Sequence, residues 1–135
     1  EEFGLFMERV PPKVLVILDE AYFEYAQHLD DYPDSMHYRY DNVITLRTFS
    51  KAHGLAGFRV GYGFAHEDLI ENLNKVKLPF EPSWPAQVAA VAALDDISYI
   101  QTTVDQCCEE KKTIIYSVSL RIQGDIQRRR STITS

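Results

Sequence analysis

The sequence predicts a single α/β domain in which strands and helices form separate layers. Two observations support this fold class: three short apolar segments typical of β-strands lie in the first half of the chain, and helical patterns follow them. The length of 135 residues agrees with one domain. A hydrophobic content of 45% with 25% charged residues is ordinary for a globular protein.

The predicted strands occupy residues 14–18, 42–48 and 58–65. The first is a continuous aliphatic run between two prolines and two acidic residues, a pattern typical of a strand buried on both faces of a parallel sheet. The third contains glycines, which weaken the prediction of a strand there.

Helical patterns follow the third strand. Residues 67–76 place their apolar side chains on one helical face, and residues 87–94 are rich in alanine, the strongest helix former. Residues 79–85 form a loop interrupted by prolines. Residues 117–135 lack a clear helical period and contain three consecutive arginines at 128–130, so we expect a solvated, poorly ordered tail.

Composition excludes several function classes. The net charge of −6 argues against nucleic-acid binding through charge alone. The sequence contains neither a long apolar run typical of a membrane span nor a signal-peptide pattern at its start. The adjacent Cys107 and Cys108 match neither a disulfide framework nor a metal site, so we expect a reduced, cytoplasmic setting and no metal.

The first candidate site follows the first predicted strand, at Asp19-Glu20-Ala21-Tyr22. Ligands of open α/β sheets bind at the carboxyl ends of the strands, where an acid can hold a metal, a ribose or a cationic ring. An apolar run before Asp-Glu also resembles an ATPase element, but the phosphate loop that an ATPase requires is missing from the sequence. The acid could alternatively cap the next turn.

The second candidate site is residues 48–59, which follow the second predicted strand. Lys51 is preceded by Ser50, and Arg59 lies further along; serine hydroxyls and guanidinium groups bind phosphate. Thr48 and Ser50 are two positions apart, so an extended backbone projects both to one side. The glycines here do not match the dinucleotide-binding pattern.

Together the two segments supply the groups that hold pyridoxal phosphate. An amine can form a Schiff base with its aldehyde, and a carboxylate can keep its pyridine nitrogen protonated. A phenol can bond to the ring oxygen, while hydroxyls and a guanidinium can hold the phosphate.

Two motifs resemble the class I/II, fold-type I aminotransferases, and in particular the histidinol-phosphate aminotransferase family. They are Val16-Ile17-Leu18-Asp19-Glu20-Ala21-Tyr22 and Thr48-Phe49-Ser50-Lys51-Ala52-His53-Gly54-Leu55-Ala56-Gly57-Phe58-Arg59-Val60-Gly61-Tyr62. The similarity covers about residues 5–112 of this sequence. It implies an incomplete large domain with a three-layer α/β/α arrangement and a mostly parallel sheet.

The resemblance also implies a role for each matching residue. Lys51 corresponds to the Schiff-base lysine, which also moves the substrate proton. Asp19 corresponds to the acid on the pyridine nitrogen, and Tyr22 to the phenol near the ring oxygen. Ser50 and Arg59 correspond to phosphate ligands, and Thr48 to a weaker one. His53 stands where the family has an aromatic residue, and we assign it no role.

The implied reaction transfers an amino group between L-histidinol phosphate and 2-oxoglutarate in histidine biosynthesis, catalysed by a homodimer. A threonine-phosphate decarboxylase or another amino-acid aminotransferase remains an alternative. The implied location is the cytoplasm, or a plastid if a transit peptide precedes this sequence.

The resemblance divides the chain into three regions: residues 1–94 as part of the cofactor-binding large domain, 95–116 as the start of the interdomain helix and small domain, and 117–135 as an atypical tail. Several family segments that complete the site are missing from this sequence. We therefore expect the isolated chain to be inactive, and a non-catalytic remnant or interaction fragment is the alternative from another class.

Overall fold

Three strands form one sheet in the order β1-β2-β3. They are β1 Val16–Asp19, β2 Val43–Thr48 and β3 Gly61–Ala65. The helices are α1 Glu2–Met7, α2 Phe23–Ala26, α3 Glu67–Val76, α4 Trp84–Asp95 and α5 Ile97–Ile133, and short 3-10 turns span Ser35–His37 and Ala56–Phe58. This computed structural model describes residues 2–133, with side chains for 2–119 and 121–123.

The sheet is mixed. β1 pairs with β2 in parallel, and β2 pairs with β3 in antiparallel. The α/β class is therefore confirmed, whereas only one of the two described pairings agrees with a mostly parallel sheet. Residues 49–60, which connect β2 to β3, contain a 3-10 turn and no α-helix, so they do not form the helical crossover usual for a parallel connection.

The first strand differs from its prediction. It begins at Val16 rather than at residue 14, and its side chains alternate between half-buried and exposed positions. Ile17 is 58% exposed, so the expectation of burial on both faces is wrong for this chain. The cause is that the described residues cover only the face shared by Val16 and Leu18, although the aliphatic composition suits a strand covered on both sides.

Two helices begin at side-chain caps. α3 has the predicted bounds, and the His66 side chain accepts a hydrogen bond from the Asp68 backbone at its start. α4 begins at Trp84, earlier than residue 87, because Ser83 caps it and Pro85 fits the first helical turn. The predicted proline loop therefore ends two residues sooner.

A small apolar core joins α4 to the ends of β2 and β3. Phe49, Val60, Ala86 and Ala90 are buried together, and the Tyr62 ring packs on Phe49 with 5.5 Å between centroids. Ala86 and Ala90 of α4 pack against Phe49 and Val60, which flank the strands. This core fixes the segment that leaves β2, where the second candidate site begins.

The chain divides into two compact units, Glu1–Ile97 and Ser98–Ser135. The second unit is α5, whose backbone is helical as far as Ile133 although its sequence lacks a clear period after residue 117. The arginines at 128–130 lie outside the residues whose side chains are described. The three predicted regions stay predictions. In the described part of the chain, no helix is both long and apolar enough to span a membrane.

Candidate active site

Asp19 and Thr48 lie on the same face of the sheet. Asp19 is the register partner of Leu46, and Thr48 follows Leu46 by two residues, so strand alternation turns all three side chains to one side. We call this side, defined by Ile17, Asp19, Leu46 and Thr48, the open face, because Ile17 and Leu46 are exposed on it. Its polar groups are therefore accessible to a ligand.

The turn after β1 presents Asp19 and Tyr22. The Glu20 amide donates to the Leu46 carbonyl at 2.9 Å, which extends the pairing of the strands by one residue. The Asp19 carboxylate accepts a hydrogen bond from the Ala21 amide at 3.1 Å. Tyr22 directly precedes α2 and its side chain is exposed.

The turn after β2 presents Lys51. The Thr48 hydroxyl accepts a hydrogen bond from the Ser50 amide, and the Gly54 amide donates to the Lys51 carbonyl at 3.0 Å. Gly54 has a φ of 71°, which favours glycine because a Cβ would be strained there. The turn holds Lys51 exposed at the end of the strand.

Lys51 and Tyr22 meet across the two turns. The Lys51 ammonium Nζ lies 5.3 Å from the centroid of the Tyr22 ring, within the range of a cation–π interaction. The structure thus brings together an amine and a phenol that are 29 residues apart in the chain. Among the described residues, Lys51 forms no ion pair.

Arg59 approaches the site through its backbone. The Phe49 amide donates to the Val60 carbonyl at 3.3 Å. Because Val60 follows Arg59 and Phe49 precedes Ser50, this bond holds the two segments side by side. Arg59 adopts a left-handed conformation with φ 53°, an unfavourable state for a residue with a Cβ. Its guanidinium donates to the Ala56 carbonyl rather than to another candidate residue.

The opposite face of the sheet carries a buried ionic network that the sequence did not reveal. Arg47 binds the carboxylate of Glu20 at 2.8 Å and that of Asp34 at 2.8 Å, and its guanidinium lies 3.3 Å from the centroid of the Phe23 ring. We call this side, defined by Glu20, Arg47 and Phe64, the closed face. A single charged residue, the arginine, inside a strand that otherwise holds only aliphatic residues and threonines is the sequence signal that could have indicated it.

Charge pairing changes the acidity of this network. Burial by itself would lower the pKa of Arg47, but hydrogen bonds to Glu20 and Asp34 outweigh it and raise the pKa above the ordinary value. Burial would raise the pKa of Asp34, but hydrogen bonds from the Met36 amide and from Arg47 outweigh it and lower that pKa. Arg47 therefore stays charged, which the buried carboxylate of Glu20 requires.

A second buried pair links the two candidate segments. His53 Nε2 lies 3.3 Å from Glu24 Oε1, and both side chains are buried. His53 also packs on Phe49, with 4.8 Å between ring centroids. Sequence reasoning missed the pair because its members are far apart in the chain.

The candidate residues supply the donor set that pyridoxal phosphate needs. The open face and its adjoining turns offer an exposed carboxylate, phenol and amine and two half-buried hydroxyls, whereas the Arg59 guanidinium bonds to the Ala56 carbonyl. A cavity of about 390 Å³ lies instead on the closed face and contains none of the predicted site residues. Within the part of the chain that the structure describes, histidine, cysteine and carboxylate side chains form no cluster suited to a metal ion.

The profile of aminotransferases of class I and II matches residues 6–120. The chain therefore belongs to the class I and II aminotransferases. Its relatives include histidinol-phosphate aminotransferase 2 from Carboxydothermus hydrogenoformans, with 50% identity over 87% of this chain and 33% of the relative. An aromatic amino acid aminotransferase from Corynebacterium glutamicum is 46% identical over 84% of this chain and 34% of its own length.

A solved structure agrees with this membership. The histidinol-phosphate aminotransferase from Sinorhizobium meliloti, in complex with pyridoxal-5'-phosphate, is similar with a TM-score of 0.76 and 34% identity. The similarity covers 84% of this chain and 31% of that protein. The chain spans about a third of the length of the curated relatives that it matches.

Proposed function

We propose that this chain is the lysine-bearing part of a pyridoxal-phosphate-dependent aminotransferase that acts on L-histidinol phosphate and 2-oxoglutarate. The observation that carries the proposal is the approach of the Lys51 amine to the Tyr22 ring at the end of the sheet where Asp19 and Thr48 share the open face. Family membership and the names of the relatives support it.

Each residue has a proposed task. Lys51 Nζ would attach the cofactor and carry the proton that leaves the substrate α-carbon. Asp19 would hold a proton on the pyridine nitrogen, and the Tyr22 hydroxyl would donate to the ring oxygen. The phosphate would be bound by Ser50, Arg59 and, more weakly, Thr48. When bound, pyridoxal phosphate supplies an electron sink.

Binding at Lys51 is tested by adding pyridoxal phosphate, reducing with sodium borohydride and mapping modified peptides by mass spectrometry. We expect a phosphopyridoxyl group on Lys51 and none there in Lys51→Ala. Lys77→Ala is the matched control, because Lys77 is exposed and remote in sequence from both site segments. Equal labelling of many lysines, without preference for Lys51, would contradict the proposal.

The substrate is supported by the relatives named histidinol-phosphate aminotransferase. The aromatic amino acid aminotransferase at 46% identity favours a second candidate substrate class, and a threonine-phosphate decarboxylase is a third. An assay of the whole protein with L-histidinol phosphate, L-phenylalanine and L-threonine phosphate distinguishes them, because the two aminotransferases take the amino group from different donors and the decarboxylase releases carbon dioxide.

We also propose that the chain alone turns over little or no substrate. Most of the proposed site residues are exposed, and catalysis requires groups held in place by a supporting shell. Rapid transamination by the purified chain would overturn this part of the proposal, whereas labelling of Lys51 without turnover supports it. Labelling absent from a folded chain would favour a remnant without cofactor binding.

The proposed dimer and the proposed cytoplasmic location belong to the whole protein. Free thiols at Cys107 and Cys108 support a reduced compartment. Analytical ultracentrifugation of the whole protein tests the dimer, because a single species at the mass of one protomer would contradict it.

A further inference from the structure

The buried pair of His53 and Glu24 occupies a distinctive position. Glu24 follows Tyr22 by two residues on α2, and His53 follows Lys51 by two residues in the turn after β2. The hydrogen bond between them therefore ties the segment that carries the phenol to the segment that carries the amine. Both of its members have side chains that are less than a tenth exposed.

The pair is costly as a purely structural feature. Glu24 Oε2 and His53 Nδ1 are buried without a hydrogen-bond partner among the described residues. Buried polar groups with unused hydrogen-bonding capacity destabilise a fold, and apolar residues of similar size commonly pack at least as well. What an apolar pair cannot supply is a directional bond that fixes one turn against the other.

We infer that His53 and Glu24 are positioning residues, which hold the Lys51 turn in a fixed place beside the Tyr22 segment. This inference rests on the proposed role of Lys51 and Tyr22 in holding the cofactor. His53 touches neither group directly in this account and acts through the backbone of the Lys51 turn. The Gly54 and Leu55 amides, which donate to the carbonyls of Lys51 and Phe49, close that turn.

The test separates fold stability from positioning. The double variant His53→Phe/Glu24→Leu removes the hydrogen bond but keeps a ring against Phe49 and fills the site with apolar groups. We expect its unfolding midpoint to equal or exceed that of the unchanged chain. We expect its dissociation constant for pyridoxal phosphate, measured by borohydride trapping at Lys51, to rise about tenfold.

Hydrogen exchange supplies a readout that needs no cofactor. In the double variant the Gly54 and Leu55 amides should exchange several-fold faster than in the unchanged chain. Glu24→Gln keeps an acceptor oxygen for His53 and should restore most of the protection and of the trapping. Ser35→Ala is the control, because Ser35 is another buried polar residue with an unpartnered hydroxyl in the described structure.

The outcomes are distinguishable. A stable double variant with unchanged amide protection and unchanged trapping overturns the positioning role. Absence of any Lys51 adduct in the unchanged chain contradicts the proposed function instead, and the exchange rates still decide whether the pair orders the turn. If the double variant fails to fold, the single variant His53→Phe, which removes the bond and keeps a ring against Phe49, must show faster exchange at the Gly54 and Leu55 amides than His53→Gln, which keeps a donor toward Glu24. Equal protection of those amides in the two variants would overturn the inference.

Discussion

Charged side chains on the two faces of the sheet differ in burial and in ion pairing. On the closed face, Arg47 and Glu20 are buried, and each charge is met by an opposite charge. On the open face, Asp19 is exposed beside Ile17 and Leu46. Charges on the first face stabilise the fold through each other, whereas the carboxylate on the second is free to meet a ligand.

The difference is sharpest at two consecutive acids. Asp19 and Glu20 have the same charge, but neighbours along a strand point to opposite faces. Glu20 bonds to Arg47 in the interior, and Asp19 bonds only locally, to the Ala21 amide. One position of sequence thus separates a structural carboxylate from a candidate cofactor ligand.

The largest effect is expected from Arg47→Met on the closed face. It leaves the Glu20 carboxylate buried without its cation, which typically costs about 3–5 kcal/mol. Urea denaturation should show that loss in the free energy of unfolding. Arg39→Met is the control, because Arg39 is exposed and bonds only to main-chain carbonyls. Equal effects of the two variants would contradict the distinction between the faces.

The next effect comes from Gly61→Ala at the β2–β3 pairing. A Cβ at Gly61 would lie 2.8 Å from the Arg47 carbonyl oxygen, so the strands must separate. We expect a loss of about 1–3 kcal/mol, the usual cost of overpacking. Gly57→Ala should be almost neutral, because a Cβ there meets no described atom within 4 Å. A neutral Gly61→Ala would show that the strand register is not held this tightly.

Arg59→Gly should have opposite effects on stability and binding. Glycine relieves the left-handed strain at φ 53°, which costs about 1–2 kcal/mol for a residue with a Cβ. The same change removes a proposed phosphate ligand and should weaken binding of pyridoxal phosphate. Thermal unfolding and a cofactor titration of the same sample measure both effects. Unchanged affinity would remove Arg59 from the proposed site.

The smallest effect concerns acid pH. Hydrogen bonds from Met36 and Arg47 overcome burial and lower the pKa of Asp34 below 3.8, so its stabilising contribution is present above that pH. It is lost as pH falls through the lowered pKa of the folded state. Because the carboxylate is 37% exposed, we expect less than about 1 kcal/mol.

The comparison for this prediction is Asp34→Asn, which should be less stable than the unchanged chain at pH 7, with a difference that shrinks as pH falls through the lowered pKa of Asp34. Asp30→Asn, at an exposed carboxylate, should show no such difference. The measurement is the unfolding midpoint of each variant and of the unchanged chain, taken from pH 7 into acid. A difference that persists in acid would point to packing rather than to charge.

The sequence predicted the α/β class, the bounds of α3 and the positions of the three strands to within a few residues. Those features depend on local patterns: an aliphatic run, a helical period and a cap. It also selected Asp19 from its place at the end of a strand, and Lys51 from the serine, glycines and arginine that surround it after the next strand. The resemblance to the aminotransferases supplied their expected roles.

The buried pairs were beyond local patterns. Arg47 meets Glu20 across 27 residues, and His53 meets Glu24 across 29, so only the fold reveals that they are partners. Likewise, the aliphatic sequence of β1 does not predict that one of its faces is exposed. Aliphatic side chains are compatible with burial on both faces, but the rest of the fold determines whether other residues cover them. Non-local packing therefore accounts for what the sequence could not predict.

The most direct test of the two-face account compares Asp19→Asn with Glu20→Gln in one titration with pyridoxal phosphate. We predict that Asp19→Asn raises the dissociation constant about tenfold, because a neutral amide lacks the negative charge that stabilises a protonated ring nitrogen. Glu20→Gln should instead leave that constant within about threefold, because its carboxylate faces the interior. Equal weakening by both variants, or weakening by Glu20→Gln alone, would contradict the assignment of the cofactor to the open face.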